Sequence, residues 1–318
     1  MRIVFMGTPN FAVPTLRRLA ASPYEVVGVY TQPDRPAGRG REVRPSPIKV
    51  AAESLGLRVF QPARLRHSAE FDQLRRLQPA VIVVASYGQI LRREVLELPP
   101  FKCLNIHASL LPRYRGAAPI PAAILAGEPF TGVTTMVIEE TVDTGPILTQ
   151  AQLPIEPSDT TGTLTAKLAE LGADLMLSTL PEWFAGRIVP HPQNEAEATY
   201  TQRLTKEEGQ IDWRASAIHI WRQVRAFQPW PGAYTYWRRK MLKLIEVEPS
   251  PEETGGQVPG LVAEKTTMGR ALGRERLLTV QTGSGLLLIR RLQMEGKRVS
   301  TAEEFLAGHR EIIGEILG

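Results

Sequence analysis

Four uninterrupted apolar runs, Ile3 to Met6, Val26 to Thr31, Val81 to Ser86 and Leu104 to Ala108, constrain this chain more than any other feature. Runs of this kind read as strands covered on both faces. Helical patterns fall between them, at residues 10 to 20, 46 to 55, 71 to 77 and 89 to 97. Strand and helix in alternation predict an α/β fold, a Rossmann-like, doubly wound, mostly parallel sheet. Such sheets bind ligands outside the carboxyl ends of their strands. The opening turn Met6-Gly7-Thr8-Pro9-Asn10-Phe11 lacks the second and third glycines of a dinucleotide fingerprint, so no dinucleotide cofactor is expected.

A helical pattern from Thr160 to Phe184 closes this region, and a polar stretch follows. The chain of 318 residues has room for two domains. We read residues 1–188 as the first domain, 189–207 as a linker and 208–318 as the second. The second opens with a helical stretch from Ala215 to Ala226. Short strand-like runs follow at 233–238, 241–248, 258–263, 277–281 and 285–291, then a short helix at 301–307. That pattern predicts a C-terminal OB-like β-barrel domain.

A net charge of +5 permits an anionic partner without requiring one. Cys103 is the single cysteine, so neither an intrachain disulfide nor a cysteine-rich zinc site can form, and no metal is expected. No apolar run approaches the ~20 residues needed to span a bilayer. The first residues form no signal peptide, and the chain reads as a cytoplasmic protein.

Chemistry concentrates in Cys103-Leu104-Asn105-Ile106-His107. Period-2 alternation puts Asn105 and His107 on one strand face. An amide donor and an imidazole there can hold an oxyanion and move a proton. Asp143 follows on the turn Val142-Asp143-Thr144-Gly145-Pro146, after another apolar run. The three together form an acyl-transfer site without a nucleophilic side chain. The competing reading makes Asn105 and His107 strand-end residues that satisfy local backbone groups, with Asp143 shaping a turn.

A basic segment, Asp34 to Pro47, interrupts the sheet after its second strand and carries Arg35, Arg39, Arg41 and Arg44. Loops of this length are functional or disordered, and its arginines suit a phosphate backbone as well as they suit solvent. Trp213, Trp221, Trp230 and Trp237 either stack on bases or pack a small barrel core.

These segments resemble the formyltetrahydrofolate-dependent formyltransferases. The likeness rests on Asn105-x-His107, on Ser109-Leu110-Leu111-Pro112-x-Tyr114-Arg115-Gly116 and on Asp143-Thr144-Gly145-Pro146. It extends to Phe5-Met6-Gly7-Thr8-Pro9-x-Phe11, to Thr31 through Gly40, to Arg115 through Ile120 and to Ile211-Asp212-Trp213. The resemblance implies 10-formyltetrahydrofolate as co-substrate and the amino group of initiator methionyl-tRNA as acceptor, in a protein acting as a monomer without membrane or metal. It implies that Asn105, His107 and Asp143 are catalytic. It puts folate against Ser109, Leu110, Leu111 and Pro112, with its pterin held by Gln89, Ile90, Leu91, Thr141 and Val142. It assigns tRNA contact to the loop bearing Arg35, Arg39, Arg41 and Arg44, and Lys206 is a further candidate. A formyltransferase for a small amine and a non-catalytic RNA-binding protein remain the alternatives.

Overall fold

The computed structural model describes residues 1–37, 42–65, 68–250, 258–268 and 274–318. The apolar runs form one seven-stranded sheet. Its strands are β1 (Arg2–Gly7), β2 (Glu25–Tyr30), β3 (Val59–Phe60), β4 (Val81–Ala85), β5 (Cys103–His107), β6 (Phe130–Val137) and β7 (Ile147–Pro154). They pair in the order β7-β6-β5-β4-β1-β2-β3. Strands β1 to β5 are parallel, whereas β6 and β7 run antiparallel at one edge.

Every residue of β4 is buried, as a strand covered on both faces requires. β1 lies between β2 and β4, so the order of strands reverses there and a crevice opens at their carboxyl ends. Loops at that rim are tied together: Thr8 Oγ1 donates to the Tyr87 carbonyl at 2.8 Å and Gln32 Nε2 donates to it at 3.3 Å. The helical pattern at 89 to 97 shrinks to Arg93–Leu96. Just before it, Gln89 is drawn off to the neighbouring loop, where its carboxamide accepts from Leu65 N and donates to the Pro62 carbonyl.

Helices Val13–Ala20, Pro47–Ser54 and Ser68–Arg76 connect the parallel strands. Ser46 caps the second by accepting from Lys49 N at 3.0 Å, with Pro47 at the first helical position. Helix Thr161–Phe184 brings Gly172 against Ile106 and Val133. Ile106 therefore faces that helix, and its neighbours Asn105 and His107 face the other way.

Two compact units emerge. One holds Met1–Ile120, Pro129–Ile155 and Thr163–Gln202; the other holds Pro121–Glu128, Glu156–Gly162 and Arg203–Gly318. Residues 189–202, which the sequence offers as the start of a linker, lie in the first unit. Tyr200–Thr201 pairs in parallel with Arg115–Gly116. Their polar side chains are hydrogen-bond partners rather than a solvated spacer.

The second unit is an antiparallel sheet ordered Ala233–Trp237, Lys240–Ser250, Leu286–Met294, Arg274–Gln281 and Val262–Met268. Residues 314–318 bridge its two ends. Gly314 N donates to the Val262 carbonyl at 2.8 Å, and Gly318 N donates to the Tyr236 carbonyl at 3.1 Å. Edge strands that would otherwise stay open are thereby paired. Trp213 and Trp237 belong to this unit's core, beside Leu278, Leu287 and Phe305. Trp230 is exposed, and Trp221 packs under the Arg225 guanidinium, 4.3 Å from its ring centre.

Candidate active site

β5 ends in the imidazole that organises the site. His107 is buried, and both of its ring nitrogens meet acceptors. Nε2 donates to the Tyr114 carbonyl at 2.9 Å. Nδ1 stands 3.5 Å from Asp143 Oδ2. A carbonyl only accepts, so Nε2 carries the hydrogen, and Nδ1 is the basic nitrogen of the neutral ring. A proton arriving at Nδ1 finds the Asp143 carboxylate facing it. Two residues earlier on the same face, Asn105 is half-buried, and its carboxamide has no hydrogen-bond partner among the described residues.

Asp143 does not reach His107 from a parallel strand end. β6 is antiparallel, and its last residue, Val137, pairs with Leu104 near the start of β5. The loop leaves β6 beside Cys103, whose carbonyl accepts from Ile138 N at 2.8 Å, and returns Asp143 to His107. Two constraints fix this return. Pro146 O accepts from Val137 N at 3.0 Å, and Gly145 lies so close to the sheet that a Cβ there would meet the Val137 carbonyl oxygen at 1.9 Å. Asp143 itself has φ of 55°, in the left-handed region that short polar side chains tolerate.

A partly buried hydrogen-bond network, invisible in the motif spacing, surrounds the turn. Gly116 N donates to Asp143 Oδ2 at 2.8 Å. Gln193 Nε2 donates to the Asp143 carbonyl at 2.8 Å and to the Gly145 carbonyl at 2.7 Å. Gln193 Oε1 accepts from Arg115 Nε at 3.0 Å. The Arg115 side chain is fully buried and makes a two-pronged pair with Glu195, at 2.7 and 3.0 Å. It also donates to Tyr200 Oη at 2.8 Å. Pairing with Glu195 raises the guanidinium pKa further and holds the Glu195 carboxyl below its usual range.

Other sequence candidates separate into buried and open positions. Ser109 is fully buried, and its hydroxyl donates to the Arg113 carbonyl at 2.6 Å. Leu111 is buried too, its backbone held by Thr134 Oγ1 and Gln150 Nε2. Ser109 and Leu111 therefore shape the segment from within, while Leu110 and Pro112 are partly open. Ile90 is 79% exposed and Leu91 only 6%. Val142 is exposed, and the Thr141 hydroxyl bonds to that of Thr144.

Gln89, Ile90 and Leu91 line an open cleft of about 370 Å³, together with Arg35, Arg64 and Arg92. Arg64 and Arg92 make no ion pair among the described residues. Arg35 donates to Gln32 Oε1 at 3.1 Å and pairs in register with Arg44 across a short hairpin, 35–37 with 42–44. Beneath it, Lys49 Nζ meets Asp34 at 2.5 Å. Arg39 and Arg41 lie outside the described residues. Lys206 is exposed near the start of the second unit's longest stretch. No group of three His, Cys, Asp or Glu is placed to hold a metal among the described residues. Nor, among them, is any helix long and apolar enough to cross a membrane.

The formyl transferase family model matches residues 1–180, and the formyl transferase C-terminal domain model matches residues 203–310. The chain is 49% identical over 319 residues to a methionyl-tRNA formyltransferase of Roseiflexus castenholzii, covering 100% of this chain and 99% of that one. Its identity to the methionyl-tRNA formyltransferase of Chloroflexus aurantiacus is 47% over 308 residues, 97% of each chain. In fold it is similar to HypX from Aquifex aeolicus in complex with tetrahydrofolic acid, with a TM-score of 0.64 and 19% identity. That match covers 97% of this chain and spans about half of HypX, 47% of its length.

Proposed function

The chain belongs to the formyl transferase family, among its methionyl-tRNA formyltransferases, and from that premise we propose that Asn105, His107 and Asp143 carry the transfer. The donor is 10-formyltetrahydrofolate and the acceptor is the methionine amine of charged initiator tRNA. The observation that carries this reading is the pairing of His107 Nδ1 with Asp143 at 3.5 Å, on the strand face that also bears the unpartnered Asn105 amide.

The amine attacks the formyl carbon, forming a C–N bond and placing negative charge on the formyl oxygen. The Asn105 amide donates to that oxygen, a contribution of about 3 kcal/mol by analogy with other oxyanion donors. His107 Nδ1 takes the ammonium proton, and Asp143 gives the new N–H an acceptor. The bond from carbon to folate N10 then breaks as the proton passes to N10, leaving tetrahydrofolate and formyl-methionyl-tRNA. Arg64 and Arg92 of the cleft suit an anionic folate. The hairpin that carries Arg35 and Arg44 suits the tRNA backbone; Arg39 and Arg41 of the same sequence segment, and Lys206, are further candidates for that contact.

Incubation with 10-formyltetrahydrofolate and either initiator or elongator methionyl-tRNA tests this. Formyl-methionine forming on the initiator alone is the expected result. Faster formylation of a nucleotide amino sugar would overturn the acceptor assignment.

A further inference from the structure

We propose that Gln193 is a positioning residue for formyl transfer, clamping the Asp143 turn so that the carboxylate stays in reach of His107. The proposal rests on the reading of Asp143 given above. Both amide hydrogens of Gln193 are engaged, one on the Asp143 carbonyl at 2.8 Å and one on the Gly145 carbonyl at 2.7 Å. Its oxygen accepts from Arg115 Nε, which fixes which end of the amide faces the turn. Arg115 cannot rotate away, because Glu195 and Tyr200 hold the rest of its guanidinium and the side chain is wholly buried. The next residue, Gly116, bonds the Asp143 carboxylate directly. One dipeptide, Arg115-Gly116, thus grips the turn twice, through its own backbone and through Gln193.

This grip has a reason in the backbone. Asp143 stands at positive φ on a loop that doubles back from β6. Left to itself, such a turn has other conformers, and each moves the carboxylate relative to a ring that is already fixed by Tyr114. Two hydrogen bonds from one amide to two carbonyls across the bend select one of them. The hydrogen bonds of Gln193 among the described residues go to Arg115, Asp143 and Gly145 and not to His107, so it acts through Asp143.

The experiment uses the full chain with Gln193→Met, which keeps the length and loses both donors, and Gln193→Glu, which turns an oxygen toward two carbonyls. Asp143→Asn and the double variant with Gln193→Met accompany them. A clamp lowers kcat by at least ~10-fold and leaves KM for folate and tRNA within about threefold, since misplacement of a catalytic group costs turnover. It also displaces the pH profile of kcat. In the double variant the loss is no greater than for Asp143→Asn alone.

Unchanged kcat and pH profile in folded Gln193→Met, with only a lower melting temperature, overturn the clamp. Losses that multiply in the double variant do the same. If Asp143→Asn alone has normal kcat, the reading beneath the proposal fails, and that result is separable because it needs no Gln193 variant. Should Gln193→Met not fold, Gln193→Asn, whose amide is one methylene too short to reach both carbonyls, gives the same comparisons.

Discussion

His107 carries one N–H in its neutral form and faces two acceptors, so its two contacts cannot both be donor bonds until it gains a proton. That asymmetry is what the proposed transfer uses. Replacing His107 with Ala is expected to lower kcat by at least ~10², with an unchanged far-ultraviolet spectrum. Asn105→Ala is expected to cost about as much, through the formyl oxygen. Steady-state kinetics on methionyl-tRNA checks both, and near-normal turnover removes that residue from the reaction. Sequence alone made these two legible, because a strand's alternation puts residues two apart on one face whatever surrounds them. Arg115 and Gln193 were not legible as a pair. Their contact spans 78 residues of chain, and a lone Gln in a polar stretch carries no pattern.

At the scale of elements, the parallel strands could be read because each is a buried run bounded by helical spacing. The direction of β6 could not, since its residues alternate no differently in either sense. The consequence falls on Asp143, which arrives by a doubled-back loop instead of a shared rim. That loop depends on Gly145. A Cβ there would stand 1.9 Å from a backbone carbonyl, far inside contact distance, so the turn must move. Gly145→Ala is expected to lower kcat by about 10² while the sheet stays folded. Kinetics alongside circular dichroism tests it; full activity would show that the turn's position is immaterial. The hairpin 35–37 with 42–44 is a related case. Its length reads as a functional or disordered loop, and strand pairing with the Asp34–Lys49 bridge orders its base.

Across the whole molecule, each unit buries a core of its own, and the boundary between the units is where the sequence was least informative. Polar residues that look like a spacer are partners for a buried guanidinium, a distinction composition cannot make. The first unit's core also contains acids that burial keeps protonated. The Cys103 thiol is pushed up to about 12, and burial raises Tyr30 and Tyr87 above the usual range as well. An unfolded chain releases the thiol proton from about pH 8.5 and the phenol protons from about pH 10. The folded chain keeps them, so rising pH favours unfolding, by about 1.4 kcal/mol per pH unit for the thiol alone. The melting temperature is therefore expected to fall steadily between pH 8.5 and 10.5. In the same window Cys103 is expected to resist a disulfide reagent until the protein is unfolded. Rapid labelling of the native protein would contradict its burial.

The pairing of Tyr200–Thr201 with Arg115–Gly116 is two residues long and joins segments 85 residues apart, whereas β1 and β4, 78 residues apart, pair over five residues. Both closures cost nearly the same entropy, but the sheet offsets it by burying apolar runs, and a two-residue pairing of polar segments gains far less. In refolding, the sheet can then assemble before its catalytic turn is gripped, and a chain with native secondary structure passes through an inactive stage. Recovery of formyl transfer is expected to lag recovery of the circular dichroism signal. Catalytic competence would be the last property this protein acquires.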